Sequence, residues 1–411
     1  MRIGIAGPVA TENIVRFLGK DTRSLPRGYG GAPFLSTLIS TLVGRGHDVS
    51  VYTTSADVSI LTPEPLRVKR PRLTIYYCPV RPHAIRFHEA LPGRILDGFA
   101  LERRHLRRAI ELDQPDVIHA HWAYEFALAG IASRRPCVVT VHDSPLQVLR
   151  YMPNPYRFGR LLMAIRALRR ARFLTAVSPY IAEQVSKFSK VSASVIPNPM
   201  PTVPVISVDA MRRDGPQDLN APVVAMILNG WGRLKNPLKG LKAFSLLRSY
   251  MPSARLRLYG HDFGPGQLAE RLARAQGLIA GVEFIGTIQH SDLLVELSTS
   301  NVLLHPSLEE ACPLVLVEAM ALGIPVVAGD ASGAVPWMLD HGKCGILTDV
   351  RSADAMCQSL LVLLQDRARY NTIREAGVRR AGEVFNADAV AERYEQEYFR
   401  AIKGTANEIG T

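Results

Sequence analysis

Two glutamates eight residues apart bracket an apolar segment in Glu310-Ala-Cys-Pro-Leu-Val-Leu-Val-Glu318. Carboxylates accept hydrogen bonds from vicinal hydroxyls, so a pair at this spacing can grip two sugar rings at once. Glu310 falls on a loop after the apolar run 302–305, and Glu318 in the first turns of a helix that begins near 314. A helix N-terminal carboxylate or a buried structural pair is the alternative for Glu318, and neighbouring Glu309 reads as solvent-facing. A second set lies in Gly230-Trp-Gly-Arg233-Leu-Lys235-Asn-Pro-Leu-Lys239-Gly240, directly after the apolar run 223–229. Arginine offers a planar fork to phosphate oxygens and lysine a point charge. Arg233 and Lys239 together can therefore neutralise a diphosphate leaving group, unless the stretch is a solvated loop of cations. A third set is Gly28-Tyr-Gly30-Gly31 ahead of a helical pattern over 32–45. A glycine loop opening a helix lets backbone N–H groups approach an anion, aided by the helix dipole. A tight turn without a ligand is the alternative. No Gly-x-Gly-x-x-Gly follows the first strand, which argues against a nicotinamide site.

These groups need elements to hold them. Short β-branched runs alternate with helical patterns along the chain. The first half has them at 2–6, 48–53, 74–79, 116–120, 137–141, 173–177 and 194–196. The second half has them at 223–229, 255–259, 282–285, 302–305, 324–328 and 345–348. Most are continuously apolar, as in parallel strands covered by helices on both faces. The expected fold class is α/β, with two doubly wound Rossmann-like domains facing each other across a cleft. The expected boundaries are 1–200 for the first domain, 201–221 for a Pro-rich linker and 222–386 for the second. A last helix over 387–402 carries Val390, Tyr394, Tyr398 and Ile402 as an apolar stripe that must pack on something, the first domain being one choice. In such sheets ligands bind beyond the carboxyl ends of the strands.

The 411 residues carry a formal charge of +12. Residues 1–205 hold 28 Lys+Arg against 14 Asp+Glu, so the whole excess sits in the first half. That half should face something anionic: nucleic acid, a membrane surface or a phosphorylated substrate. Five scattered cysteines without Cys-x-x-Cys spacing argue against a disulfide framework. The first residues read as a strand and not a secretion signal, and no 18-residue apolar run occurs. A cytoplasmic protein, or one peripheral to the inner face of the membrane, is expected.

At this point the chain resembles the family-4 retaining glycosyltransferases of the GT-B fold. That family's pattern of two glutamates followed by Ala-Met-Ala-x-Gly-x-Pro-Val-Val is matched by Glu310, Glu318, Ala319-Met320-Ala321, Gly323 and Pro325-Val326-Val327. The resemblance runs along nearly the whole chain: Gly30-Gly31, Gly44-Arg45-Gly46-His47-Asp48-Val49, Asp116-Val-Ile-His119-Ala-His121, Thr140-Val-His142-Asp143, Val177-Ser178 and Pro197-Asn198-Pro199. It implies that a nucleotide diphosphate sugar is the donor and a saccharide or lipid-linked molecule the acceptor. Arg233 and Lys239 would hold the diphosphate, Glu318 the ribose hydroxyls, Glu310 the transferred sugar, and Gly30 and Gly31 the β-phosphate. Gly286-Thr287-Ile288 would supply backbone contacts to the base, Leu314 would belong to the donor site, and His142 would approach the donor sugar from the acceptor side. Asp143 and Trp122 would belong to the acceptor side. Bacterial surface-polysaccharide or glycolipid assembly is the pathway this implies.

Three departures from the family pattern stand out. Glu310-Ala311-Cys312-Pro313 replaces Glu-Gly-Phe-Gly, and Pro313 has no N–H to offer. The spacing from Arg233 to Lys239 is one residue longer than usual, which makes Lys235 a substitute for Lys239. Ser332-Gly333 stands in place of Gly-Gly. The absence of Asp-x-Asp from the chain argues against a metal clamp, so neither a metal nor a cofactor is expected.

Other features have two readings. His119 and His121 share one face of a strand, but no third metal ligand stands at a recognisable spacing. Cys312 reads as a small apolar filler. In 101–112, Arg103, Arg104, Arg107 and Arg108 share one arc, with Leu101, Leu106, Ile110 and Leu112 opposite. That is either a membrane-facing stripe for anionic lipid or a solvated face. A non-catalytic nucleotide-sugar-binding protein and another GT-B enzyme, such as a nucleotide-sugar epimerase, are the rival functions. Nucleic acid is the least favoured partner, because no recognised binding module occurs.

Overall fold

The computed structural model describes residues 1–18, 22–87, 91–201 and 218–409. The chain divides into two compact units, Met1–Pro199 with Ala387–Thr411, and Met200–Asn386. The linker expected at 201–221 lies almost wholly outside the described residues.

The first unit is built on an eight-stranded sheet. Its strands are β1 (Arg2–Ala6), β2 (Asp48–Ser55), β3 (Leu66–Arg70), β4 (Leu73–Pro79), β5 (Val117–His121), β6 (Cys137–Val141), β7 (Phe173–Ala176) and β8 (Ser194–Val195). Their order is β3-β4-β2-β1-β5-β6-β7-β8. All neighbours are parallel except β3 and β4, which form an antiparallel edge pair. Ile3 pairs with Val49 on one side and Val117 on the other. β5 is buried at every position, His119 and His121 included.

The closing helix Ala387–Ile409 belongs to this unit and packs against the helix Phe34–Gly44 and against β5 and β6. Val390, Tyr394 and Tyr398 are buried, and Ile402 is half-buried. The i, i+4 spacing puts them on the one face that meets the sheet. On its flank Glu395 accepts hydrogen bonds from Arg45 Nε and His47 Nε2, each at 2.8 Å.

The second unit holds six parallel strands: β9 (Val223–Ile227), β10 (Arg255–Tyr259), β11 (Val282–Gly286), β12 (Val302–His305), β13 (Val326–Gly329) and β14 (Ile346–Thr348). Their order is β11-β10-β9-β12-β13-β14. The chain starts at β9, builds outward through β10 and β11, then returns to lay β12 on the other side of β9. The direction of winding therefore reverses between β9 and β12, which is where such sheets open a crevice for ligands.

Gly240 shows how tightly the helix Pro237–Tyr250 sits on this sheet. A Cβ there would meet Met226 Sδ at 2.6 Å and Pro306 Cγ at 3.1 Å. Only glycine lets the helix come this close, and its closeness fixes the loop between β9 and the helix.

Candidate active site

The reversal point in the second unit is where the charged side chains meet. The loop after β9 carries Arg233 and Lys235, and the loop after β12 carries Glu310. Lys235 Nζ lies 2.6 Å from Glu310 Oε1. His305, the last residue of β12, places Nε2 3.1 Å from the same oxygen. Backbone bonds tie the two loops together: Leu308 N donates to Leu234 O at 2.8 Å, and Asn236 Nδ2 donates to Pro306 O at 3.1 Å. Burial alone would push the Glu310 carboxyl up, but Lys235 and His305 outweigh it and hold it at about 2. Glu310 is thus a fixed anion at the carboxyl end of the sheet.

Arg233 is exposed on the same loop. Lys239 is not brought to this cluster. It sits in the first turn of the helix Pro237–Tyr250, exposed, and lines an open groove of about 590 Å³ with Lys242, Arg351, Ser352 and Asp354. The physical reason is the turn itself. Asn236 takes a left-handed conformation (φ 53°) just before the helix. Lys235 is left on the loop side, against Glu310, while Lys239 is carried onto the helix surface. Of the two lysines, Lys235 is the one that contacts Glu310.

Glu318 lies in the helix Leu314–Ala321 and is buried. Its Oε1 is 2.8 Å from His290 Nε2, and this hydrogen bond raises the His290 pKa. His290 opens the helix His290–Ser298, just after the half-buried Ile288 on the loop leaving β11. No signal in the sequence pointed to His290, which is 28 residues from its partner. Leu314 is half-buried at the start of its helix, with Pro313 extended at the cap position (φ −71°, ψ 113°). Since proline has no N–H, Leu314 offers the first free amide of that helix.

In the first unit, Gly30 and Gly31 are exposed ahead of the helix Phe34–Gly44, and a Cβ on either would meet nothing within 4 Å. Gly31 has φ +117°, a conformation that L side chains resist. The loop's backbone is therefore both open and glycine-dependent.

His142 follows β6 and is buried with its ring centroid 4.4 Å from Trp122 and 4.9 Å from Phe34. Its Nε2 lies 2.9 Å from His121 Nδ1. Burial holds the His142 pKa down at about 3, so the ring works as a neutral hydrogen-bonding group. His119 is engaged elsewhere: Nδ1 is 2.7 Å from Tyr398 OH and Nε2 is 2.6 Å from Thr140 Oγ1. The two strand histidines are thus members of buried hydrogen-bond chains. Asp143 accepts from Tyr124 OH at 3.0 Å, and burial raises its pKa.

The arginine stripe is less uniform than its helical arc implies. Arg104 is exposed. Arg107 pairs with Glu111 at 3.2 Å and Arg108 with Glu64 at 3.5 Å. Arg103 is half-buried, and its pKa is lowered by burial and by Arg166 and Arg170. Leu112, expected on the apolar side, is 46% exposed, because it lies four residues after exposed Arg108 and shares its face of the helix Ala100–Asp113.

Both units are similar to proteins already known. The family model described as Glycosyltransferase Family 4 matches residues 29–203, and that described as Glycosyl transferases group 1 matches residues 209–380. The chain is 22% identical over 396 residues to an N-acetyl-alpha-D-glucosaminyl L-malate synthase of Bacillus anthracis, covering 92% of this chain and 96% of that one. Its fold is similar to a sucrose-phosphate synthase from Thermosynechococcus elongatus, with TM-score 0.73, 20% identity, and 98% and 99% of the two chains covered. It is also similar to Anabaena HepE solved with UDP-glucose, with TM-score 0.65, 19% identity, and 96% and 98% covered. Taken in chain order, the two models span both structural units, and the chain belongs to the family-4 glycosyltransferases of the GT-B fold.

Proposed function

We propose that the chain transfers a hexosyl unit, with retention, from a nucleotide diphosphate sugar to a hydroxyl of a saccharide or lipid-linked acceptor in bacterial surface-polysaccharide or glycolipid biosynthesis. The observation that carries this is the Lys235–Glu310 pair at the reversal point of the second sheet, with Arg233 on the same loop. Cleaving a sugar–diphosphate bond builds negative charge on the leaving phosphate, and placed cations stabilise it as it forms. Arg233 and Lys235 meet that charge, while Glu310 faces the transferred sugar. Glu318 takes the ribose hydroxyls, and the loop at Ile288 and the Leu314 amide complete the donor site. The amides at Gly30 and Gly31 offer further hydrogen bonds to an anion. Neutral His142 bonds a hydroxyl without adding charge. The leaving phosphate takes the acceptor's proton, so no carboxylate nucleophile is needed and the anomeric configuration is kept. With no Asp-x-Asp in the chain, fixed cations do the work a metal does elsewhere.

That the fold neighbour HepE was solved with UDP-glucose supports a nucleotide sugar as donor. A position at the inner face of a membrane is part of this reading, with Arg104 the freest member of the stripe that also holds Arg103, Arg107 and Arg108. The test is incubation with a panel of nucleotide sugars and candidate acceptors. Release of nucleoside diphosphate without added metal, with an α-linked product from an α-linked donor, supports the proposal. No release from any donor overturns it.

A further inference from the structure

Glu310 is held by unlike partners at a single oxygen. Its Oε1 meets Lys235 Nζ at 2.6 Å and His305 Nε2 at 3.1 Å. A carboxylate has roughly four lone-pair positions, about two on each oxygen. Lys235 and His305 therefore occupy Oε1, and Oε2 is the oxygen that neither of them uses. Burial alone would favour the neutral acid, so these contacts also keep the group ionised.

The two partners differ in freedom. The Lys235 side chain is 25% exposed on a long stem, whereas the His305 side chain is 3% exposed. His305 closes β12, which lies between β9 and β13, and it pairs there with Ala328. Pro306 follows it, and a residue ahead of proline is confined to extended backbone. The imidazole thus starts from a fixed point. The Glu310 main chain is fixed as well. Ala334 N donates to Glu310 O at 2.8 Å, and Ser332 Oγ donates to Ser307 O at 2.6 Å. Those bonds set where the Glu310 side chain begins, and His305 sets where it ends. Ionised Glu310 only accepts, so His305 Nε2 must carry the proton that they share. In that tautomer Nδ1 is a bare acceptor, and Nδ1 is the buried ring nitrogen that meets no partner among the described residues. An unpaired buried acceptor is tolerated better than an unpaired buried N–H, so the surroundings favour the same tautomer.

Lys235 is also the cation set to meet the leaving phosphate, so its hold on Glu310 is shared once a donor is bound. His305 has no second task. We infer that His305 is the positioning residue for Glu310: its Nε2–H pins Oε1 and turns Oε2 to the transferred sugar, whatever Lys235 does. The inference rests on the glycosyltransferase reading for what Oε2 meets, and not for the hydrogen bond itself.

Two substitutions of similar polarity test it. The amide nitrogen of glutamine reaches the place of the histidine Nε2, while that of asparagine stops near Nδ1. His305→Asn should lower kcat by about 10- to 100-fold, the loss that a small misplacement of a group at the reacting centre brings. His305→Gln should recover at least about fivefold of that loss, because it restores the donor. Calorimetric affinity for UDP or GDP should be the same in wild type and both variants, since Glu310 faces the sugar. Equal losses in the two variants, no loss in either, or a diphosphate affinity that falls in step with kcat overturns the inference. Proton–nitrogen NMR on the full chain gives a second measurement that needs no turnover and no folded His305→Asn. The His305 Nε2–H should appear as a slowly exchanging signal, and Glu310→Gln should shift it. An unprotonated Nε2, or a signal indifferent to Glu310→Gln, overturns the inference even in a chain that transfers sugar. A responsive signal in a chain that releases no nucleoside diphosphate from any donor would sink the transferase proposal and leave the His305–Glu310 hold standing.

Discussion

Lys235 and Glu310 stand 75 residues apart in the chain and 2.6 Å apart in space, one on each of the two loops that leave the sheet at its reversal point. Lys239, four residues on, is exposed on the adjoining helix surface. The two lysines should therefore behave differently. Lys235→Met is expected to lower turnover by about 10²-fold, the usual loss when one group stabilising a developing oxyanion is removed. Lys239→Met should cost far less. Comparing kcat for the two variants decides it, and equal losses would return the diphosphate role to both.

The same pair sets a pH dependence. Glu310 has a folded pKa of about 2 against an ordinary 4.5, so it is depressed. A depressed carboxylate contributes stability above its unfolded pKa, and that contribution is lost as pH falls through the folded value. For the wild type the window is therefore from about 4.5 down to about 2. In Lys235→Met the main cation is gone, burial dominates, and the carboxyl should protonate at higher pH. An acid limb in turnover or in unfolding should then move upward relative to wild type, and an unmoved limb would mean that Lys235 does not govern Glu310.

His290 and Glu318 give the opposite sign. Hydrogen bonding to Glu318 raises the His290 pKa above 6.5, so its contribution is complete below the unfolded value and is lost as pH rises through the folded one. The unfolding midpoint of His290→Asn should lie below wild type near pH 6, and the gap should close under alkaline conditions. Because the His290 side chain is half exposed, solvent screening keeps the gap small. A gap that is constant across this range would assign the loss to packing.

Much of this was legible in the residue pattern, and the reasons are particular. Runs such as Val223–Ile227 are apolar throughout because helices cover both faces of a parallel strand, and that pattern survives without knowing any partner. β3 escaped because Leu66-Arg-Val-Lys-Arg has one inward side chain, Val68, on an edge where cations guard the open hydrogen bonds. Glu310 and Glu318 could be named from spacing, but their partners could not. His305, His290 and Lys235 reach them through loop geometry, and Lys235 was separable from Lys239 only by the left-handed turn at Asn236. The charge asymmetry was visible, yet the buried pairs of Arg81 with Glu102 and of Arg160 with Glu125 inside the basic unit join residues 21 and 35 positions apart.

Close packing gives a prediction independent of catalysis. Gly240→Ala places a methyl 2.6 Å from Met226 Sδ, a contact that real side chains do not hold. Overpacking of this kind costs about 1–3 kcal/mol. The variant's unfolding midpoint should fall, and Met226→Ala in the same chain should recover part of the loss, since sulfur is the nearer obstacle. If the double variant is merely the sum of the singles, the two positions do not press on each other.

The closing helix offers the last test. Tyr398 OH lies 2.7 Å from His119 Nδ1, and His119 Nε2 meets Thr140, so both ring nitrogens of a buried, uncharged imidazole are occupied. Tyr398→Phe keeps the ring packing and removes only the hydroxyl, leaving a buried nitrogen without a partner. That should cost about 1–3 kcal/mol in the first unit, more than an exposed hydroxyl would. Tyr250→Phe, on a side chain 62% exposed in the second unit, provides the comparison. If chemical-denaturant unfolding shows equal shifts for both, the helix is held to the sheet by its apolar face alone, and the His119 contact adds nothing to it.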